Sequence, residues 1–307
     1  MSGRPVTVEG IQPADVLARV EFLRGELELI RFEMGKPKDW RHEPAVTNVA
    51  PREVIFQAET LYRKANLLHL ELTGRRQPSL AIALPREIRS YHVWVIVNGA
   101  YKPLLDLKKR MGITESLDEK PQDPSVTPTE VFRAIVQANR QFEQLIEHGP
   151  TTRDVFHRVT LATYYVSSLL ERFPETTRMP AAQAFERGKR PVDVYRRLLK
   201  CYAQIRAITE LSGFETLKLE MPQAEAAEVP AQLRPSDIYD MATLIISELA
   251  FLQTQLKDSY PPVASVDPGF KLPAHVYQRA GILLRQLTEL KAQVKTKPNW
   301  LADYTFL

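Results

Sequence analysis

The residues that could do chemistry in this chain are few and scattered. Its histidines are His42, His69, His92, His148, His157 and His275. A di-metal centre in a helical bundle needs two Glu-x-x-His pairs and two further inward carboxylates. No Glu-x-x-His occurs. The nearest approaches are Asp39-Trp40-Arg41-His42, in a loop, and Asp154-Val155-Phe156-His157, at a helix start where the acid has a capping role. The single cysteine, Cys201, excludes an intrachain disulfide and a cysteine-based zinc site. It falls on an apolar helix seam and reads as a small buried hydrophobe. The sequence has no Gly-x-Ser-x-Gly, no glycine-rich phosphate loop and no Gly-x-Gly-x-x-Gly. The expectation is therefore no catalytic residue, no metal ligand and no cofactor.

Cations gather at Arg75-Arg76, Lys108-Lys109-Arg110, Arg187 to Arg190 and Arg196-Arg197. A nucleic-acid footprint is usually one continuous basic stripe. These clusters are separate, lack interleaved aromatics and mostly lie near helix ends, where cations decorate the surface or complement the dipole. Nucleic acid is disfavoured as a partner.

Any site must be positioned by helices, because one helix-start motif recurs eight times. It reads proline, any residue, an acid, a β-branched residue, then usually an aromatic. Copies begin at Pro13, Pro51, Pro85, Pro128, Thr152, Pro191, Pro235 and Pro273. The fifth lacks the proline, and the eighth has His275 in place of the acid. Proline suits the first helical position, where its missing N–H costs nothing. An acid in the first turn complements the helix dipole and accepts from free amides. Apolar residues then follow in steps of four, three, four and three. Examples are Val16, Val20, Leu23, Leu27 and Ile30, and Val276, Ala280, Leu283, Leu287 and Leu290. That is the a/d seam of bundle helices.

The pattern predicts an all-α fold of eight helices of about 22 residues each, over 13–35, 51–74, 85–111, 128–148, 152–173, 191–212, 235–257 and 273–295. The motif spacings are 38, 34, 43, 24, 39, 44 and 38 residues. The shortest leaves only His148-Gly149-Pro150-Thr151 between helices four and five, which predicts antiparallel neighbours there. Two tandem four-helix units follow, 1–149 and 150–307, mostly antiparallel and joined internally by long Pro-rich connections. Such connections either cap bundle ends or run back along a helix.

The third helix, read from Pro85, breaks the seam: His92 and Gly99 stand where the other copies have apolar side chains. Gly99 would leave room beside Tyr91, His92, Trp94, Asn98 and Tyr101, and these six residues form the candidate ligand site.

Composition is that of a globular chain, 44% apolar and 25% charged, with a net charge of +4. The longest apolar run, Val93 to Val97, is far short of the ~20 residues a membrane helix needs. The N-terminus has no signal-like apolar core. If Met1 is native the expected compartment is the cytoplasm; if a signal peptide preceded it, the periplasm. Two functions are expected. The first is a non-catalytic helical scaffold for a protein partner, with Trp40 and Trp300 as exposed anchors. The alternative is a carrier of an apolar small molecule or lipid beside helix 85–111.

Overall fold

The computed structural model describes residues 10–38, 45–75, 87–220, 233–256, 262, 269–297 and 299–301. The helices are α1 (Pro13–Glu33), α2 (Pro51–Thr73), α3 (Ser90–Met111), α4 (Pro128–Leu145), α5 (Thr152–Leu170), α6 (Pro191–Leu211), α7 (Pro235–Thr254) and α8 (Pro273–Thr296). Two three-residue strands, β1 (Ala45–Thr47) and β2 (Lys218–Glu220), pair with each other. The fold is all-α with eight helices, as the sequence predicts.

The heads of the helices form as the motif dictates. In six helices the third residue is an acid whose carboxylate accepts the N–H of the residue preceding the helix. Asp15 takes that of Gln12 at 2.8 Å, Glu53 that of Ala50 at 2.6 Å and Asp193 that of Arg190 at 2.8 Å. The other two use histidine. His92 Nδ1 accepts from Arg89 N at 3.0 Å, and His275 Nδ1 accepts from Leu272 N at 3.1 Å.

This corrects the reading of the third helix. It begins at Ser90, not Pro85, and its motif is Ser90-Tyr91-His92-Val93. Pro85 itself lies outside the described residues. With His92 in the place of the acid, the first-unit spacings become 38, 39 and 38. The seam is then unbroken through Val93, Val97, Ala100, Leu104 and Leu107, all buried. The apparent irregularity was a five-residue slip of register.

The chain divides into two compact units, Met1–Glu147 with Leu217–Leu219, and His148–Thr216 with Glu220–Leu307. In the first, α1 and α2 each pack on both α3 and α4; in the second, α5 and α6 each pack on both α7 and α8. Helices four and five are therefore not neighbours in one bundle. The tight turn links two units.

Within each unit the helices are parallel, not antiparallel. In the first, Pro13, Pro51, Ser90 and Pro128 meet around one apolar hollow of about 30 Å³, floored by Val16, Val54, Val93 and Val131. In the second, Thr152, Pro191, Pro235 and Pro273 do the same above Val155, Val194, Ile238 and Val276, around about 20 Å³. All four helices of a unit start at one end, which we call its head. Each hollow has room for about one water but almost no polar lining to hold it.

Parallel helices force each connection to travel back the length of a helix, roughly 30 Å for 20 residues. The described connections do so, running outside the bundle. Residues 178–185 climb α8: Arg178 O accepts from Gln286 Nε2 at 2.5 Å, Ala181 O from Arg285 Nη1 at 2.9 Å, and Gln183 O from Gln278 Nε2 at 2.6 Å. Phe185 then meets His275 at the head, its ring tilted on the imidazole with 4.9 Å between centroids. Likewise Leu117 passes Gly25 of α1, and Glu119 reaches Arg19, about 1.7 turns nearer the head. Gly25 makes the passage: a Cβ there would stand 2.7 Å from Leu117 Cδ1.

The seams stack into five buried layers per unit. Large and small side chains alternate around the third layer of each unit. In the third layer of the first unit, Leu23 and Leu61 lie on α1 and α2, which are diagonal, while Ala100 and Ala138 lie on α3 and α4. In the second unit, Ala162 and Cys201 form the small diagonal, Ile245 and Leu283 the large one. The small seam residues are thus matched by bulk on adjacent helices, as close packing requires.

Candidate functional site

The six candidate ligand residues divide around α3. At about 100° per residue, Tyr91, Trp94, Asn98 and Tyr101 share one side of the helix, and His92 and Gly99 share another. His92 is committed to its cap and lies edge-on to Tyr91, 5.8 Å between centroids. Asn98 and Tyr101 meet α1. Arg19 Nε donates to Asn98 Oδ1 at 2.6 Å, and its guanidinium lies 4.2 Å from the Tyr101 centroid and 5.2 Å from that of Phe22. Burial, then the Glu26 carboxylate, pushes the Tyr101 phenol above its ordinary range, against the pull of Arg19. The Asn98 amide nitrogen is buried without a hydrogen-bond partner among the described residues. Trp94 is half-buried and Gly99 buried.

Gly99 sits off the seam and is buried. Gly99→Leu is expected to cost about 1–3 kcal/mol by overpacking. Denaturant unfolding measures it. An unchanged or raised midpoint would instead reveal a space that leucine fills.

His92 as a cap also gives a testable outcome. An acid at that position complements the helix dipole, which a neutral ring does not. His92→Asp is expected to add about 0.3–1 kcal/mol at neutral pH. Thermal unfolding would show a lowered melting temperature if the ring had some other task.

Sequence reasoning missed the buried ionic groups of the first unit. Glu26 on α1 and Lys108 on α3 form an ion pair, with side chains 3% and 8% exposed, and Lys108 Nζ also donates to Glu115 O at 2.8 Å. Lys64 on α2 and Glu143 on α4 pair at 2.5 Å. Glu53, fully buried, caps α2, lies 3.3 Å from Arg52 Nη2, and accepts from Leu217 N at 3.3 Å. That last bond ties in the segment 217–219, whose strand no periodicity announces. Lys108 belongs to a cluster expected at the surface; its place beside the seam residue Leu107 was the signal for its burial.

One grouping resembles catalytic machinery. His69 Nε2 lies 2.8 Å from Asp106 Oδ2, and His69 Nδ1 lies 3.3 Å from Thr73 Oγ1. Its hydrogen bonds point to a structural role. Thr73 Oγ1 donates to His69 O at 2.7 Å and accepts from Arg75 N at 3.2 Å, and His69 Nδ1 is 3.1 Å from Arg75 O. The group finishes α2, whose last residue is Thr73, and Gly74 turns the chain with φ +70°. Thr73 Oγ1 gives its proton to the His69 carbonyl and not to the imidazole, and the negative end of a helix disfavours a developing oxyanion.

Among the described residues no group of three or more His, Cys, Asp or Glu could hold a metal. No described helix is long and apolar enough to cross a membrane. No protein family, curated protein or solved structure matches this chain. Its function must therefore be argued from its own geometry.

Cys201 is buried, and its Sγ faces Ala280 O at 3.7 Å. Burial pushes the thiol well above its ordinary range. The thiolate is the reactive form. Folded protein is expected not to react with an aromatic disulfide reagent between pH 7 and pH 9, and to react fully once unfolded. Rapid reaction of the native protein would contradict this burial. Trp300, expected as an exposed anchor, is 4% exposed, with Nε1 donating to Ser212 Oγ at 2.9 Å and its ring against Phe173. Trp40 lies outside the described residues.

Proposed function

We propose that the chain is a non-catalytic scaffold that binds another protein. One observation carries the reading: the two units share one interior plan and differ on their surfaces. Both have five apolar layers, the same helix neighbours and the same capped heads. An interior repeated in this way serves stability, and differences outside it are where selection for binding acts. Large apolar side chains stand exposed on both units, among them Phe32, at 79%, and Phe270, at 84%.

Affinity capture of the full chain from a native lysate, at near-endogenous amounts, tests the proposal. The expected result is a stoichiometric protein partner that survives washing. Recovery of the chain alone, or of bound apolar small molecules without protein, would overturn it.

A further inference from the structure

The two heads differ in charge and in apolar exposure. Consider the ten residues of each helix start, counted from the one before the cap. In the second unit they carry nine Arg or Lys against four Asp; in the first, four Arg against three acids. Asp154, Asp193 and Asp237 accept backbone N–H groups at 2.8 Å. Four parallel helix N-termini add positive potential at the same end. Arg187, Arg190 and Arg234 are exposed and have no carboxylate partner among the described residues.

Apolar side chains crowd the same place. Phe270 is 84% exposed, Leu272 46% and Phe185 42%. Phe185 is brought there by its ring contact with His275, and Leu272, two residues after Phe270, is the cap residue of α8. Cations are already fixed on rings around them. Arg197 lies 3.3 Å and Lys189, itself paired with Glu186 at 2.6 Å, lies 4.4 Å from the Tyr277 centroid, and Lys271 lies 5.1 Å from that of Phe156. The first unit exposes no large apolar side chain among the described residues of its head.

We infer that the head of the second unit is the docking surface for an acidic, amphipathic segment of a partner protein. The inference rests on the scaffold reading and names its partner's chemistry. Aromatic and arginine side chains are the types enriched at the centres of protein interfaces, whereas lysine is depleted there. Three exposed apolar groups ringed mainly by arginines match a segment with apolar residues among carboxylates, and arginine binds carboxylate in bidentate fashion. Cations held on rings lose little freedom on binding.

Photocrosslinking in the full-length chain tests this. A benzophenone amino acid is placed at Phe270 or, for comparison, at Phe32 in the first unit, irradiated in native lysate, and the adducts are sequenced. The expected result is a protein adduct at position 270 within an Asp/Glu-rich, amphipathic segment. The adduct should fall about tenfold in the Arg187→Glu/Arg190→Glu/Lys271→Glu variant, with helix content unchanged. An adduct on a segment without acids, or one indifferent to charge reversal, overturns the inference. So does an adduct on phospholipid, or charge-dependent co-sedimentation with phosphatidylglycerol vesicles without a protein adduct. A protein adduct at Phe32 alone overturns the docking surface and leaves the scaffold standing; no protein adduct at either position overturns both.

Discussion

Glu26→Ala is expected to destabilise the first unit by about 3–5 kcal/mol, because it leaves the buried Lys108 ammonium without its counter-charge. Glu26 and Lys108 are 2% and 6% exposed, and among the described residues the only other partner of Lys108 Nζ is the Glu115 carbonyl. A carbonyl solvates an ammonium incompletely, and the site is too closed for water to replace the carboxylate. The pair itself need not add net stability, since desolvating two charges offsets their attraction. Glu26→Leu with Lys108→Met should therefore recover most of the loss. Urea unfolding of the two single variants and the double variant reads this directly. Equal losses in single and double variants would mean that the side chains contribute packing alone.

Phe142→Ala is expected to cost about 3–5 kcal/mol, the range for emptying an aromatic site in a closed core. Phe142 is fully buried in the fourth layer, with Leu27, Ala65 and Leu104. Its bulk on α4 faces the small Ala65 on the adjacent α2. Truncation would put two alanines side by side and leave a hole that neither helix can close while the layers above and below hold them apart. Phe142→Leu, which keeps most of the volume, should cost less than about 1.5 kcal/mol. A loss below about 1 kcal/mol for Phe142→Ala would show that the layer is loosely packed.

The two substitutions mark what can and cannot be read from the sequence. The layer of Phe142 follows from the four-three step, which depends only on neighbours within one helix. Helix limits were legible for the same reason: proline and a first-turn acid act within four residues. The start of α3 was misplaced because Pro85-Arg86-Glu87-Ile88 imitates the motif, while the true cap uses a histidine nitrogen where its relatives use a carboxylate. That slip produced the apparent gap at Gly99 and with it the candidate ligand site. Glu26 and Lys108, far apart in sequence, carry no local mark of their pairing. Helix direction was not legible either. A seam reads the same whichever way its neighbour runs, and a connection of about 16 residues can cross a bundle end or return along its side. The basic cluster Arg187–Arg190 was visible, but its meeting with Phe185, Phe270 and Leu272 depends on all four helices starting at one end.

The parallel arrangement is the claim on which the paired heads, the returning connections and the docking surface all depend. It is tested most directly by a distance between the starts of two consecutive helices. Nitroxides at Pro51→Cys and Arg89→Cys mark the first turn of α2 and the residue preceding α3, which pack against each other. Cys201, buried, should stay unlabelled. Parallel neighbours place the labels about 15–25 Å apart, the interaxial distance plus the label arms. Antiparallel neighbours would place them about 35 Å apart or more, the length of a 23-residue helix. Pulsed electron paramagnetic resonance resolves the two cases. A single short distance is predicted, and a distribution centred at the helix length would contradict the fold described above.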